Sequence, residues 1–242
     1  MPQYPWSADE WSERVRDAVK TYWTARTDQS SKQQGSEVRD TGARGEVTGG
    51  QHLNAFCDLF VELIKAAGFS SEHIKFRTGV ELPGYYRPSK RWDVVVVRKG
   101  RLCAALEMKS QVGPSFGNNF NNRTEEAVGS SVDFWLAFRE GRLGLHSPWL
   151  GYFFFLEEAE ASLKSVSITS PAFPADPIFH DTSYAKRYEI LCRRMVLERN
   201  YSASALLLSP RGGEGIFRDA ASDLSLLAFA NGLFGHLVGC IE

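Results

Sequence analysis

Two carboxylates and one amine, Asp93, Glu107 and Lys109, are the residues of this sequence best placed to do chemistry. Asp93 precedes a run of four valines, Val94 to Val97, and Glu107 and Lys109 close an Ala-Ala-Leu stem a few residues later. Burying an unpaired ion in an apolar strand is strongly unfavourable, so three ionisable groups at the ends of such strands need partners. A divalent cation and a phosphate would serve. Carboxylate oxygens suit Mg²⁺, which keeps several waters and binds through one or two protein carboxylates. Such an ion lowers the pKa of a bound water, and Lys109 can orient that nucleophile or stabilise charge as it attacks phosphorus in line with a departing 3′ oxygen.

This chemistry depends on a hairpin. Residues 92–98 and 101–109 read as strands around a turn at Lys99-Gly100, with 73–80 as a third strand before them. Side chains alternate along a strand, so Glu107 and Lys109 share a face and the register decides whether Asp93 joins them. A two-residue turn with regular pairing sets Asp93 opposite Leu106, on the wrong face. A three-residue loop Arg98-Lys99-Gly100 with Gly100 left-handed, or an equivalent bulge, sets it opposite Ala105 and diagonal to Glu107. The sequence therefore predicts the looser turn or such a bulge.

Helices should flank these strands. Residues 7–26 carry Trp11, Val15, Ala18, Val19, Tyr22 and Trp23 at helical spacing behind Ser7 as a cap. Residues 27–50 turn to Ser, Gln, Gly, Asp and Arg and read as a long loop. A clear amphipathic helix spans 51–67, with Gly68 as its stop. The Gly- and Asn-rich stretch 113–122 reads as a loop, and a helix follows over 124–139 with Thr124-Glu125-Glu126 as its first turn. Residues 149–156 form a buried strand, 170–177 a Pro-rich connector, 184–199 a basic helix, 203–209 a short strand and 220–237 an apolar helix. The expected fold is α/β, a mixed sheet with helices on both faces, within one domain over 1–242. Its catalytic core covers about 45–160, with helical additions at 1–30 and 180–242.

Formal net charge is −1, so any polyanion must be met by a local patch. One candidate is the segment 75–101, with eight basic residues against two acidic ones. The Asn-rich loop offers another, since Asn bonds adenine bidentately and Arg bonds guanine in the major groove. Its candidates are Asn118, Asn119, Asn121, Asn122 and Arg123. Gln111, two residues beyond Lys109, falls on the same strand face and could touch a phosphate or a metal-bound water. Glu46 and His52 flank the start of the second helix and read as helix-end residues, with Glu46 also the candidate for an accessory acid. Cys57, Cys103, Cys192 and Cys240 lack metal-ligand spacing and read as buried, reduced thiols. With no apolar run long enough to span a bilayer, a soluble, cytoplasmic protein is expected.

The passages Trp92-Asp93, Leu106-Glu107-Met108-Lys109-Ser110-Gln111-Val112-Gly113-Pro114-Ser115 and Phe116-Gly117-Asn118-Asn119-Phe120-Asn121-Asn122-Arg123-Thr124-Glu125-Glu126 closely resemble the XhoI type II restriction endonuclease family, within the PD-(D/E)xK nuclease superfamily. Trp92 stands where the superfamily usually has proline. The resemblance implies a restriction-endonuclease-like fold, Asp93 and Glu107 as Mg²⁺ ligands and Lys109 as the catalytic lysine. It also implies a homodimer that cuts both strands of double-stranded DNA at a palindrome, typically CTCGAG, and a cognate DNA methyltransferase that protects host DNA. The alternatives are a repair or recombination nuclease on the same fold and a non-catalytic DNA-binding module.

Overall fold

The computed structural model describes residues 2–34 and 52–241, and for 29–34 the backbone alone. Helix α1, Ala8–Gln34, starts at a reciprocal cap in which Ser7 Oγ accepts the Glu10 N–H and the Glu10 carboxylate accepts the Ser7 N–H at 2.7 Å. It runs eight residues beyond the expected end at 26, so the start of the expected 27–50 loop is helical, and 35–50 lie outside the described residues. Helix α2, Asn54–Ala66, stops as expected before Gly68, whose φ of +98° closes the helix.

The strands are β1 (Ile74–Phe76), β2 (Glu81–Pro83), β3 (Ser89–Arg91), β4 (Val94–Arg98), β5 (Arg101–Gln111), β6 (Trp149–Glu157), β7 (Ala203–Ser209) and β8 (Arg218–Asp219). Six of them form a mixed sheet in the order β1-β4-β5-β6-β7-β8, with the parallel pairs β5–β6 and β6–β7 at its centre. The other two, β2 and β3, pair as a separate hairpin. The expected strand 73–80 is thus cut short after Phe76, where Arg77 takes a left-handed φ of 64° and turns the chain away.

Every residue of β6 is buried, as its apolar run requires of a strand covered on both faces. One face packs against α1, α2 and the C-terminal helix α6, Leu226–Val238. The other packs against α3, Phe116–Arg139, and α5, Tyr184–Leu197, with a short helix α4, Glu160–Leu163, between β6 and α5. This is the expected α/β architecture, a mixed sheet between helical layers, consistent with a restriction-endonuclease-like fold. Among the described residues no helix is long and apolar enough to cross a membrane.

Two expectations fail on helix boundaries. The Asn-rich segment is not a loop, because α3 begins at Phe116 and Thr124 lies inside it, its hydroxyl donating to the Phe120 carbonyl at 2.9 Å. Phe116 and Phe120, one turn apart, pack on Tyr184 and Tyr188 of α5, and that packing overrides the weak helix propensity of Gly and Asn. At the C-terminus, 218–219 add the edge strand β8. The last helix starts only at Leu226, where Ser225 Oγ accepts the Ala228 N–H.

Candidate active site

The β4–β5 turn is the tight two-residue kind after all, with Lys99 and Gly100 both left-handed at φ 51° and 73°. The register shift comes from a bulge in β5 instead. Val96 pairs with Ala104 but Val97 with Leu102, which leaves Cys103 as the extra residue. Val94 therefore faces Leu106, and the Asp93 N–H donates to the Leu106 carbonyl at 3.0 Å. The bulge does what the looser turn was expected to do, by another route and in the opposite direction.

Glu107 lies at the centre of the cluster, with only 1% of its surface exposed. Its Oε1 accepts from Lys90 Nζ at 3.0 Å and lies 3.3 Å from Lys109 Nζ, and its Oε2 accepts from Tyr201 Oη at 3.0 Å. Burial pushes the Glu107 carboxyl up, but the two ammonium groups and the Lys90 and Tyr201 hydrogen bonds outweigh it and hold the group below the usual carboxylate range. Lys90 reaches Glu107 from β3, outside the main sheet, and packs 4.1 Å over the Trp92 ring. Burial lowers its pKa.

Asp93 lies within the same electrostatic cluster, acted on by Lys109, Glu107 and Lys90. Its Oδ2 accepts the Met108 N–H at 2.6 Å, and among the described residues Oδ1 accepts no hydrogen bond. Burial raises its pKa, against the opposing pull of the Met108 N–H and Lys109. A carboxylate raised by burial, with one oxygen unbonded among the described residues, next to a second buried carboxylate is a donor set that fits a hard divalent cation. Among the described residues no three His, Cys, Asp or Glu side chains group as a metal cage, so such an ion would rest on Asp93, Glu107 and water.

The remaining candidates divide. Gln111 lies on the expected face but is buried. Its Nε2 donates to the Ser115 and Phe116 carbonyls at 3.3 and 3.0 Å, and its Oε1 accepts from Tyr188 Oη. It ties the end of β5 to the start of α3, with both Nε2 hydrogens committed to backbone carbonyls. Asn118, Asn121 and Asn122 are exposed on the first turns of α3, and Asn119 and Arg123 are partly buried. Arg123 pairs with Glu126 at 2.5 Å, and Glu126 lies 4.0 Å from Lys109. Glu46 lies outside the described residues. His52 is buried against Tyr22 on the α1–α2 side, with no hydrogen-bond partner for either ring nitrogen among the described residues and its pKa lowered by burial.

The basic segment 75–101 is not one patch. Arg77 pairs with Asp58, Arg87 with Asp133, Lys90 with Glu107 and Arg91 with Glu81, while Arg98 donates to the Ile241 carbonyl at the far end of the hairpin. The sequence reading also missed Lys90 and Tyr201 as site residues. Lys90 was legible only as one more cation, and Tyr201 has no local motif because it enters from just before β7. All four cysteines are free and buried, in line with the expectation.

The family profile described as restriction endonuclease XhoI matches residues 32–219. Type II restriction enzyme BstVI of Geobacillus stearothermophilus is 45% identical over 207 residues, 82% of this chain and 92% of that protein. Type II restriction enzyme XhoI of Xanthomonas vasicola is 40% identical over 204 residues, covering 83% and 82%. Type II restriction enzyme AbrI of Azospirillum brasilense is 43% identical over 166 residues, covering 68% and 74%. No solved structure matches the chain. On the profile match and these identities, the chain belongs to the XhoI restriction endonuclease family.

Proposed function

We propose that this chain is a type II restriction endonuclease that makes Mg²⁺-dependent double-strand breaks at a palindromic DNA site, with the family-typical CTCGAG as the first sequence to test. The observation that carries this reading is the convergence of Glu107, Lys109 and Asp93 on one electrostatic cluster at the end of β5. Asp93 and Glu107 would hold the cation, which when bound supplies positive charge at the scissile phosphate.

The chain's own groups do the rest. Tyr201 fixes one oxygen of Glu107, and the Met108 N–H fixes one oxygen of Asp93. Lys109 holds the attacking water against phosphorus and offsets the charge that develops there. The water oxygen bonds to phosphorus as the bond to the 3′ oxygen breaks. The water's protons pass to the leaving oxygen and to solvent, giving 5′-phosphate and 3′-hydroxyl ends. Asn118, Asn119, Asn121, Asn122 and Arg123 present amide and guanidinium groups beside this site and serve as DNA contacts. Each subunit of a homodimer cuts one strand, and a cognate methyltransferase protects the host's own sites in the cytoplasm.

Plasmid DNA incubated with the chain and Mg²⁺ should give discrete bands whose mapped ends carry 5′ phosphates, and EDTA should abolish them. Uncut or randomly degraded plasmid would reject the reading, and cleavage in EDTA would reject the metal.

A further inference from the structure

We propose that the tip of the β2–β3 hairpin is a rigid aromatic contact, with Tyr86 stacking on the DNA that flanks the scissile bond. This rests on the nuclease reading above. Asp133 of α3, 2% exposed, accepts the backbone N–H groups of Tyr85 at 2.8 Å and Tyr86 at 2.7 Å with one oxygen, and Arg87 Nε at 2.8 Å with the other. Arg142, just past α3, donates to the Gly84 carbonyl at 2.7 Å and lies 5.6 Å over the Tyr85 ring. A Cβ at position 84 would meet Asp133 Oδ2 at 2.6 Å and the Arg87 carbonyl at 2.7 Å, so only glycine fits there.

Gly84 to Arg87 are therefore fixed to a helix by a carboxylate whose burial is unfavourable without those bonds. In front of this framework Tyr86 is 73% exposed, edge-on to Tyr85 with 4.9 Å between ring centroids. A loop anchored from behind and open in front presents its side chain with little left to order on contact.

The hairpin's position identifies the occupant. Its returning strand β3 carries Lys90, which bonds Glu107. Tyr86 is four residues upstream of Lys90, so at roughly 3.3 Å per residue the tip stands within about 13 Å of the Lys90 backbone, and the Lys90 side chain spans the remaining distance to Glu107. At 3.4 Å per base pair that backbone span alone is about four steps of duplex. A duplex that brings a phosphate to Lys109 passes this tip, where an aromatic ring wedges into a base step and stacks on the base it uncovers.

The test starts from plasmid sites mapped for the wild-type chain. A duplex oligonucleotide carrying one of them serves as probe, with Ca²⁺ in place of Mg²⁺. Y86A is expected to melt with the wild type yet bind the probe about ten- to a hundredfold more weakly, while Y86F, which keeps the ring, stays near wild type. Wild-type affinity in Y86A, or Y86F as weak as Y86A, overturns the stacking contact. A changed sedimentation mass of Y86A without DNA assigns the tip to contact between copies and overturns it too. Discrete cleavage by the wild type with unaltered Y86A binding rejects this proposal alone, whereas no discrete cleavage rejects the nuclease reading and this proposal together.

Discussion

Asp93 and Glu107 are both carboxylates in one cluster, yet their surroundings push them in opposite directions. Burial raises Asp93, so the folded chain holds that proton more tightly than the unfolded chain does. Its contribution to stability is then full below the unfolded carboxylate range and is lost as pH rises through the folded value. Asp93→Asn removes the charge while keeping an oxygen for the Met108 N–H. Without metal it should melt about 2–4 °C above wild type near neutral pH, the rise that about 1 kcal/mol gives in a chain of this size. The gap should close below about pH 4, where both forms are neutral, and the variant should not cleave DNA. A lower melting temperature near neutral pH would contradict the account. Glu107 is the reverse case: its lowered pKa stabilises the fold above the unfolded value, and that contribution is lost as acid protonates the group. Tyr201→Phe takes one hydrogen bond from Glu107 and should lower metal affinity and cleavage rate by about 10–100-fold. Calorimetric titration with Ca²⁺ checks the affinity, and an unchanged isotherm would leave Tyr201 a packing residue only.

At the scale of elements, the strands that carry Asp93, Glu107 and Lys109 were readable because their apolar runs and the Lys99-Gly100 turn are local signals. The bulge at Cys103 was not, since no residue type there marks it; the register follows from packing between helical layers. Lys90 and Tyr201 were missed for a related reason, because they reach Glu107 from β3 and from the approach to β7. The start of α3 was misread because Asn and Gly are poor helix formers, while the rings that hold it, Tyr184 and Tyr188, lie 68 residues beyond Phe116 and Phe120. That misreading has a measurable consequence. If Asn118, Asn121 and Asn122 are exposed helical residues, replacing all three with Ala should raise the melting temperature by a few degrees, at up to about 0.7 kcal/mol each. The same triple variant should cleave more slowly if those amides touch DNA. A loop would show no gain in stability, and a melting scan beside a plasmid digest separates the two effects.

Across the whole molecule, the constraint is that the described residues hold one set of Asp93, Glu107 and Lys109, whereas a double-strand break needs two hydrolyses on strands of opposite polarity. A two-fold dimer solves this by geometry, because the axis that relates two subunits also relates the two strands of a palindrome. Each site then needs to reach only one scissile phosphate. Hybrid dimers test the idea directly. Wild-type chain carrying an affinity tag, co-expressed with untagged Glu107→Gln, gives a mixed population, and dimers holding one of each can be separated by two-step purification. Such hybrids should convert supercoiled plasmid to nicked circles at a rate similar to the wild type's first cut and stop there for lack of a second active site on the opposite strand. Linear product at the wild-type rate from purified hybrids would mean that one subunit turns over both strands, and the two-fold arrangement would have to be given up.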